Sequence, residues 1–280
     1  MALTLPDHLK AEFAKSTLVV AGHGSSRHSG GAKAVLAHAD ALRSQGLFAK
    51  VLCAFWKEPP FLKDLWEQVT TEKAYIVPVL ASRGQVTEKV FPRELGLAEK
   101  GREGFILCEA VGTHPGISKA VADRALALTK TLGAEPSETS LILVGHGSGS
   151  GHPGSAMQTE AVASHALSHG AFKEVKTAYL EQEPKIDDWA KETSGKNVIV
   201  IPFMISGGLH ASQDIPEILG FNPASNDIKA LSETSEAAGP LKANNRNLWL
   251  TRPVGAEPFI EELILDQVVG AAEKQTEESA

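Results

Sequence analysis

Three side chains that can handle a metal ion or a proton follow three separate apolar runs in the second half of the sequence. They are His146, Glu181 and His210. Two imidazoles and one carboxylate suit divalent ions such as Co2+, Ni2+, Fe2+ and Zn2+. The same set can move protons, with Glu181 as the base and the histidines as shuttles near neutral pH. These residue types therefore predict metal chemistry, proton transfer or both.

The surroundings of these residues leave alternatives open. A glycine on each side of His146 gives room for a bulky ligand, but a histidine there can also serve only to cap a turn. His210 can be a surface histidine of a glycine-rich loop, and Glu181 an exposed carboxylate without a role. Glu183, two residues from Glu181, is the alternative base. His152 is either a solvated loop histidine or a further group near the same site.

Short blocks of the first half recur in the same order in the second half, which indicates an internal repeat. The matching pairs are 18–25 with 141–148, 54–60 with 178–184, 74–80 with 198–204, 90–96 with 214–220, and 110–115 with 253–258. The offset stays near 124 residues and grows by about 19 only in the last pair, so the second copy has an insertion around 222–245. We interpret the chain as a tandem duplication of 1–133 and 134–280.

Each copy alternates apolar, β-branched runs with helical patterns. The predicted strands are 18–21, 51–55, 75–80, 141–144, 175–180 and 198–204, and the predicted helices are 32–44, 62–70, 157–168 and 186–193. Continuous apolar strands that alternate with helices predict a parallel sheet buried on both faces. We therefore expect an α/β fold of two tandem-duplicated three-layer domains, each with a central parallel sheet. Ligands bind beyond the carboxyl ends of such strands, which is where the candidate residues fall.

The first copy has lost most of the candidate site. It keeps a Gly-His-Gly motif around His23. Lys57 stands at the position of Glu181, and Val86 stands at the position of His210. A cation and an aliphatic side chain cannot replace a base and a metal ligand. We expect one competent site, in the second copy, and a structural or substrate-facing role for His23.

Composition excludes several partners. The chain has 280 residues, 42% of them hydrophobic and 22% charged, and a formal charge of -7. It shows no basic stripe for nucleic acid and no apolar run of membrane-spanning length. Its start lacks the pattern of a signal peptide, so a cytoplasmic protein is expected. Cys53 and Cys108 are expected to be buried thiols, and His38, His165 and His169 to be surface or interface groups on helices.

The motifs of the second copy resemble a known family. The most specific block runs from His210 through Asp214 to Ile-Pro, after an apolar run and a glycine-rich loop, and Leu-Val-Gly-His-Gly-Ser and Glu-Gln-Glu-Pro accompany it. On these blocks the sequence resembles the sirohydrochlorin chelatases of the class II chelatase group, in a two-domain form. The resemblance covers both copies, nearly the whole chain, and implies a chelatase-like fold.

The resemblance also implies a function. It implies a lyase that inserts Co2+, the favoured ion, or Fe2+ into sirohydrochlorin or a related tetrapyrrole on the route to cobalamin or sirohaem. By the same resemblance His146 and His210 hold the metal and Glu181 assists with protons. No organic cofactor is expected, and the chain is expected to act as a monomer or a homodimer.

The substrate of that family is rich in carboxylates, for which cationic residues of the first copy are candidate partners. By position these are Arg27, Lys57 and Arg83, and His28 follows Arg27 in the same loop. Two other functions stay open at this point. One is a metal or tetrapyrrole carrier without turnover. The other is a metal-assisted hydrolase, which is less favoured because an aspartate-rich ligand set and a phosphate-binding loop are missing from the sequence.

Overall fold

The computed structural model of the chain describes residues 5–26, 32–147, 154–205, 208, 210–231 and 234–278. Packing divides the chain into two compact units. Unit 1 consists of Met1–His114 and Pro258–Ala280, and unit 2 consists of Pro115–Glu257. Each unit thus includes the last helix of the other sequence copy. The two units are defined by contacts and do not coincide with the two sequence copies. The repeat boundary between 133 and 134 therefore stays a prediction.

The described strands form one sheet in each unit. Unit 1 contains β1 (Thr17–Gly22), β2 (Lys50–Phe55), β3 (Ala74–Pro78) and β4 (Phe105–Leu107). Unit 2 contains β5 (Thr139–Gly145), β6 (Glu174–Tyr179), β7 (Asn197–Pro202), β8 (Ala237–Ala243) and β9 (Arg246–Thr251). The sheet orders are β2-β1-β3-β4 and β6-β5-β7-β9-β8. All pairs are parallel except β8 with β9.

The helices surround these sheets. In chain order the α-helices are α1 (Asp7–Phe13), α2 (Lys33–Ser44), α3 (Phe91–Glu94), α4 (Gly116–Leu132), α5 (Gly154–Ser168), α6 (Trp189–Glu192), α7 (Ile215–Leu219), α8 (Asn226–Ala230) and α9 (Phe259–Glu278). The 3-10 segments are Leu62–Glu67, Val111–Thr113, Pro136–Glu138, Ile186–Asp188 and Val254–Ala256, and the π-helical segments are Val86–Val90 and His210–Asp214. Across the described residues, none of the helices is long and apolar enough to span a membrane.

The central strands explain why the apolar runs are continuous. β1 and β3 in unit 1, and β5 and β7 in unit 2, are buried along their whole length. A strand with helices on both faces has no solvent-facing side, so alternation of polar and apolar residues disappears. In unit 1, α9 packs against α2 and β3, and in unit 2, α4 packs against α5. The predicted α/β architecture with central parallel sheets is confirmed.

The insertion in the second copy adds an antiparallel edge strand to the otherwise parallel sheet of unit 2. β8 pairs with β9, and α8 packs against β8. Asn244 and Asn245 join the two strands with φ values of 50° and 59°. Left-handed backbone at both loop residues is what a two-residue hairpin turn requires, and asparagine tolerates it better than most residues. The insertion is therefore a hairpin extension of the sheet.

Two predicted helices are shorter than expected. The segment predicted at 62–70 is the 3-10 helix Leu62–Glu67, and the segment at 186–193 is a 3-10 turn followed by α6. Leu62 and Leu65 are both buried, and their spacing of three residues suits the three-residue turn of a 3-10 helix. Such helices seldom extend beyond one or two turns, which explains their early ends.

The side chains expected to be buried thiols are confirmed as such. Cys53 and Cys108 are free and buried, in β2 and directly after β4. Burial raises the pKa of Cys53 to about 11 and that of Cys108 to about 12. Both thiols therefore stay protonated and unreactive at neutral pH. His38 is also buried, in α2, where its Nδ1 lies 3.3 Å from Glu261 Oε1 of α9.

Candidate functional site

His146 lies directly beyond the carboxyl end of β5, between two glycines with different tasks. A Cβ on Gly145 would lie 2.5 Å from Thr159 Oγ1 and 3.1 Å from the ring of Tyr179, so only glycine fits there. Gly147 has a φ of 76°, which favours glycine and turns the chain sharply after His146. The His146 side chain is 42% exposed, and its Nδ1 lies 3.2 Å from Gly147 O. The two glycines place an accessible imidazole at the edge of the sheet.

Glu181 reaches the same place from the neighbouring strand. It follows β6 by two residues, and its backbone N–H donates to His146 O at 3.1 Å. Its carboxylate Oε2 lies 3.7 Å from His146 Nδ1. Glu183 instead accepts a hydrogen bond from the backbone N–H of Lys185 at 3.1 Å and is exposed. Of the two carboxylates, Glu181 is the one beside the imidazole.

His210 completes the cluster from the segment after β7. Its ring and that of His146 meet edge to face with centroids 4.8 Å apart. It begins the π-helical turn His210–Asp214, which the buried side chains of Ala211 and Ile215 anchor to the core of unit 2. The three residues predicted from three separate apolar runs therefore lie together beyond the carboxyl ends of adjacent strands.

Asp214 is a member of the cluster that the sequence reading did not assign. Its Oδ2 lies 2.6 Å from His210 Nδ1. An ionised carboxylate only accepts hydrogen bonds, so the Nδ1–H donates and the lone pair of a neutral His210 ring is at Nε2. Carboxylates that orient a metal-ligating histidine in this way also raise its basicity. The spacing of four residues in the His-x-x-x-Asp block was the available signal, since it places two residues on one helical face.

The arrangement can bind a divalent ion loosely and accept protons. Two imidazoles form an incomplete ligand set for a borderline metal. Across the described residues, three or more His, Cys, Asp or Glu side chains nowhere converge as a metal site. An ion held by His146 and His210 would therefore keep open coordination positions. Glu181 lies beside His146, where it can accept protons released by a second molecule that binds the same ion.

Unit 1 repeats the backbone of the cluster without its chemistry. Gly24 has a φ of 68°, and the N–H of Lys57 donates to His23 O at 2.9 Å, as Glu181 does to His146. The His23 ring contacts Trp56 edge to face at 5.0 Å. Val86 begins a π-helical turn equivalent to His210–Asp214. The fold of the site is thus retained where its ligands are replaced.

The other residues that the sequence offered as substrate or metal partners contribute less to the candidate site. Lys57 is exposed, with its Nζ 3.5 Å from the centre of the Trp56 ring. Arg83 forms a two-point ion pair with Glu109, its Nε donating to Oε2 at 3.0 Å, so its guanidinium is already paired. Three other residues considered from the sequence, Arg27, His28 and His152, lie outside the described residues.

Comparisons with known proteins match both halves of the chain. The family model CbiX matches residues 17–128 and again 140–271. A probable sirohydrochlorin cobaltochelatase of Halobacterium salinarum is 28% identical over 277 residues, which cover 91% of each chain. A sirohydrochlorin cobaltochelatase of Methanopyrus kandleri is 27% identical over 136 residues, covering 46% of this chain and 93% of that protein. The half-length relative and the twofold match confirm the tandem duplication.

A solved structure supports the fold. A multi-domain protein of Deinococcus radiodurans, described as structurally similar to chelatases, superposes with a TM-score of 0.71 at 26% identity. The alignment covers 91% of this chain and 54% of that protein, so this chain spans about half the length of that structure. The expected chelatase-like architecture is thereby confirmed.

Proposed function

The chain belongs to the CbiX family, and from this premise we propose that unit 2 inserts a divalent metal ion into sirohydrochlorin or a related tetrapyrrole. The observation that carries the proposal is the pair of facing imidazoles, His146 and His210, with ring centroids 4.8 Å apart. Their side chains are 42% and 46% exposed, which leaves them accessible to a large, flat substrate. The metal is a substrate in this reaction, held by the imidazoles until the tetrapyrrole nitrogens replace them.

The proton balance of metal insertion gives Glu181 its proposed role. A divalent ion enters the macrocycle as two pyrrole N–H protons leave, so two protons are released for each ion inserted. A carboxylate at the metal site can accept one proton at a time and pass each to solvent as the new metal–nitrogen bonds form. Glu181 is the candidate because its Oε2 lies 3.7 Å from His146 Nδ1, whereas Glu183 is bonded to the backbone of Lys185. Asp214 is proposed as a positioning residue for His210.

Co2+ is the proposed ion, and Fe2+ is the second candidate. The names of two relatives, a probable sirohydrochlorin cobaltochelatase and a sirohydrochlorin cobaltochelatase, support cobalt. Two imidazoles follow the general affinity order of divalent metals and by themselves do not select one ion. Insertion exchanges a metal for protons without a change of oxidation state, so no organic cofactor is needed. The enzyme proposed here belongs to the synthesis of cobalamin or sirohaem and acts as a monomer or a homodimer.

The deciding experiment follows metal insertion into purified sirohydrochlorin by the change in its absorbance, with Co2+ and with Fe2+. The wild type should turn over, and His210→Ala should abolish turnover because one of the two imidazoles is lost. His23→Ala is the matched control, since it changes the equivalent Gly-His-Gly motif of unit 1. Tetrapyrrole binding without wild-type turnover would instead identify a carrier. Metal-dependent hydrolysis without insertion would identify the hydrolase.

A further inference from the structure

A second pair of histidines lies on α5, away from the cluster around His146. His165 is in the last turn of that helix, and His169 follows its last residue. Their Nε2 atoms lie 3.2 Å apart, and their ring centroids are 5.0 Å apart. His169 is exposed and His165 is partly exposed. The spacing of four residues places both rings on one face of the helix.

The distance between the two nitrogens matches the bite of a single metal ion. Metal–imidazole bonds are about 2.1 Å long, and two such bonds to nitrogens 3.2 Å apart enclose an angle of about 100°. That angle lies between those of octahedral and tetrahedral coordination, so both geometries are accessible. One of the two Nε2 atoms carries the hydrogen of the hydrogen bond between them, and a shift of that hydrogen to Nδ1 of the same ring frees both Nε2 lone pairs for the ion. The pair is thus preorganised for chelation.

We propose that His165 and His169 form a second binding site for a divalent first-row transition metal. Since no further His, Cys, Asp or Glu side chain completes a metal site within the described residues, water fills the other coordination positions. Two imidazoles bind Cu2+ and Ni2+ more tightly than Co2+. The site goes beyond the proposed insertion reaction and does not depend on it.

The two histidine pairs of unit 2 lie at opposite ends of its parallel strands. His146 follows the carboxyl end of β5, and α5 then returns to the start of β6, which is parallel to β5. The 15 residues of α5 span about 22 Å at 1.5 Å per residue. His169 lies five residues before β6 begins at Glu174. An ion at His165 and His169 is therefore too far away to share ligands with His146.

The test uses Ni2+ as the probe and isothermal titration of the full chain. In a His146→Ala/His210→Ala background, one Ni2+ per chain should still bind. Adding His165→Ala should weaken that binding at least about tenfold, because the second ligand acts at a high effective concentration. His8→Ala removes an exposed histidine of α1 that is not paired with another histidine within the described residues; it is the matched control and should leave the affinity unchanged. Alanine favours helix, so His165→Ala keeps α5 folded.

Electron paramagnetic resonance identifies the ligands independently. Cu2+ bound to the same background should show splitting by two imidazole nitrogens, and His169→Gln should reduce it to one. If His165→Ala by itself removed all Ni2+ binding from the otherwise wild-type chain, this result would support the site on α5 and contradict the metal site at His146 and His210. Absence of Ni2+ binding in the His146→Ala/His210→Ala background, or binding that survives His165→Ala undiminished, would overturn the proposal.

Discussion

The Nδ1 of His210 lies 2.6 Å from Oδ2 of Asp214, one turn further along the same π-helical segment. This contact fixes which nitrogen of His210 faces a ligand, because the N–H at Nδ1 is used by the carboxylate. In unit 1 both positions carry valine, at Val86 and Val90. Val90 is buried, so its side chain has become part of the core. The ligand and its support are therefore absent together from unit 1.

Removing the carboxylate of Asp214 should weaken metal binding, although Asp214 is not itself a metal ligand. We expect Asp214→Ala to lower Co2+ affinity and insertion rate by about 10- to 100-fold, the usual effect of losing a group that orients a metal-ligating histidine. Gln213→Ala, at the exposed neighbouring position, is the control. Titration calorimetry with Co2+ and the insertion assay measure the two effects. Equal affinities for the two variants would show that Asp214 does not position His210.

The two glutamates after β6 should differ in their effect on turnover. Glu181→Gln keeps the shape of the side chain but cannot accept a proton, so kcat for insertion should fall by about 100-fold or more while Co2+ affinity changes little. Glu183→Gln is the matched control, since its carboxylate faces the backbone of Lys185. Rates and affinities are measured on the same preparations. A larger loss of rate in Glu183→Gln than in Glu181→Gln would reverse the assignment of the base.

Gly145 should tolerate alanine poorly for a steric reason. The added Cβ would lie 2.5 Å from Thr159 Oγ1, and neither residue can move freely because both are buried. We expect Gly145→Ala to lower the free energy of unfolding by about 1–3 kcal/mol, the typical cost of overpacking a core. Thr159→Ala in the same chain should restore part of the loss by removing Oγ1. Urea denaturation measures both variants.

The control for this substitution is a glycine with open space around it. Gly270 lies in α9, and within the described residues an added Cβ would meet no atom within 4 Å apart from its chain neighbours and the adjacent helix backbone. Gly270→Ala should therefore stabilise the protein by about 0.5–1 kcal/mol, since glycine costs that much within a helix. If Gly145→Ala were equally well tolerated, the crowding by Thr159 would be refuted.

The repeat allowed much of the site to be predicted from the sequence. The constant offset of 124 residues identified Lys57 and Val86 as the counterparts of Glu181 and His210. The structure matches this register, since the N–H groups of Lys57 and Glu181 donate to the carbonyls of His23 and His146 respectively. Residues beyond the ends of neighbouring parallel strands meet at one edge of the sheet, so strand prediction alone placed the three candidates close together.

The repeated blocks 110–115 and 253–258 each contain a Val-Gly turn, and packing explains why the glycine recurs. A Cβ on Gly112 would lie 2.1 Å from Ala81 O, and one on Gly255 would lie 1.9 Å from Ile205 O. Only glycine permits the approach of these backbones, and both N–H groups donate across it, to Leu80 O and Met204 O. A conspicuous sequence match thus marks a close contact, and not a catalytic group.

Other features depend on tertiary packing and were not predictable. The residues 237–243 contain Gly-Pro and one lysine, which do not resemble a strand, yet they pair with β9 because the hairpin turn brings them to the sheet edge. The sequence does not indicate that α4 belongs to unit 2 and α9 to unit 1. Each helix is amphipathic and both sheets offer an apolar face, so either sheet could bind either helix. Helix patterns predict that a helix forms, not which sheet it covers.

Glu174 gives a prediction about pH. Its Oε1 accepts hydrogen bonds from Ser140 Oγ at 2.6 Å and from the backbone N–H of Ser194 at 2.6 Å. Burial raises the pKa of the Glu174 carboxyl, but the hydrogen bonds from Ser140 and Ser194 outweigh burial and hold it below its ordinary value of 4.5. A carboxyl with a depressed pKa in the folded state stabilises the protein only when ionised. Its contribution is complete above the ordinary pKa and is lost as the pH falls through the folded pKa.

Glu174→Ala should therefore lower the free energy of unfolding by about 1–3 kcal/mol at pH 7, because the buried hydroxyl of Ser140 loses its acceptor. The difference from the wild type should shrink as the pH falls below about 4.5. Glu138→Ala is the matched control, since within the described residues Glu138 forms an ion pair with exposed Lys196 at 3.2 Å, and such a pair contributes less than about 1 kcal/mol. Urea denaturation from pH 3 to pH 7 measures all three proteins. A difference that stays constant across this range would mean that Glu174 acts through packing and not through its charge.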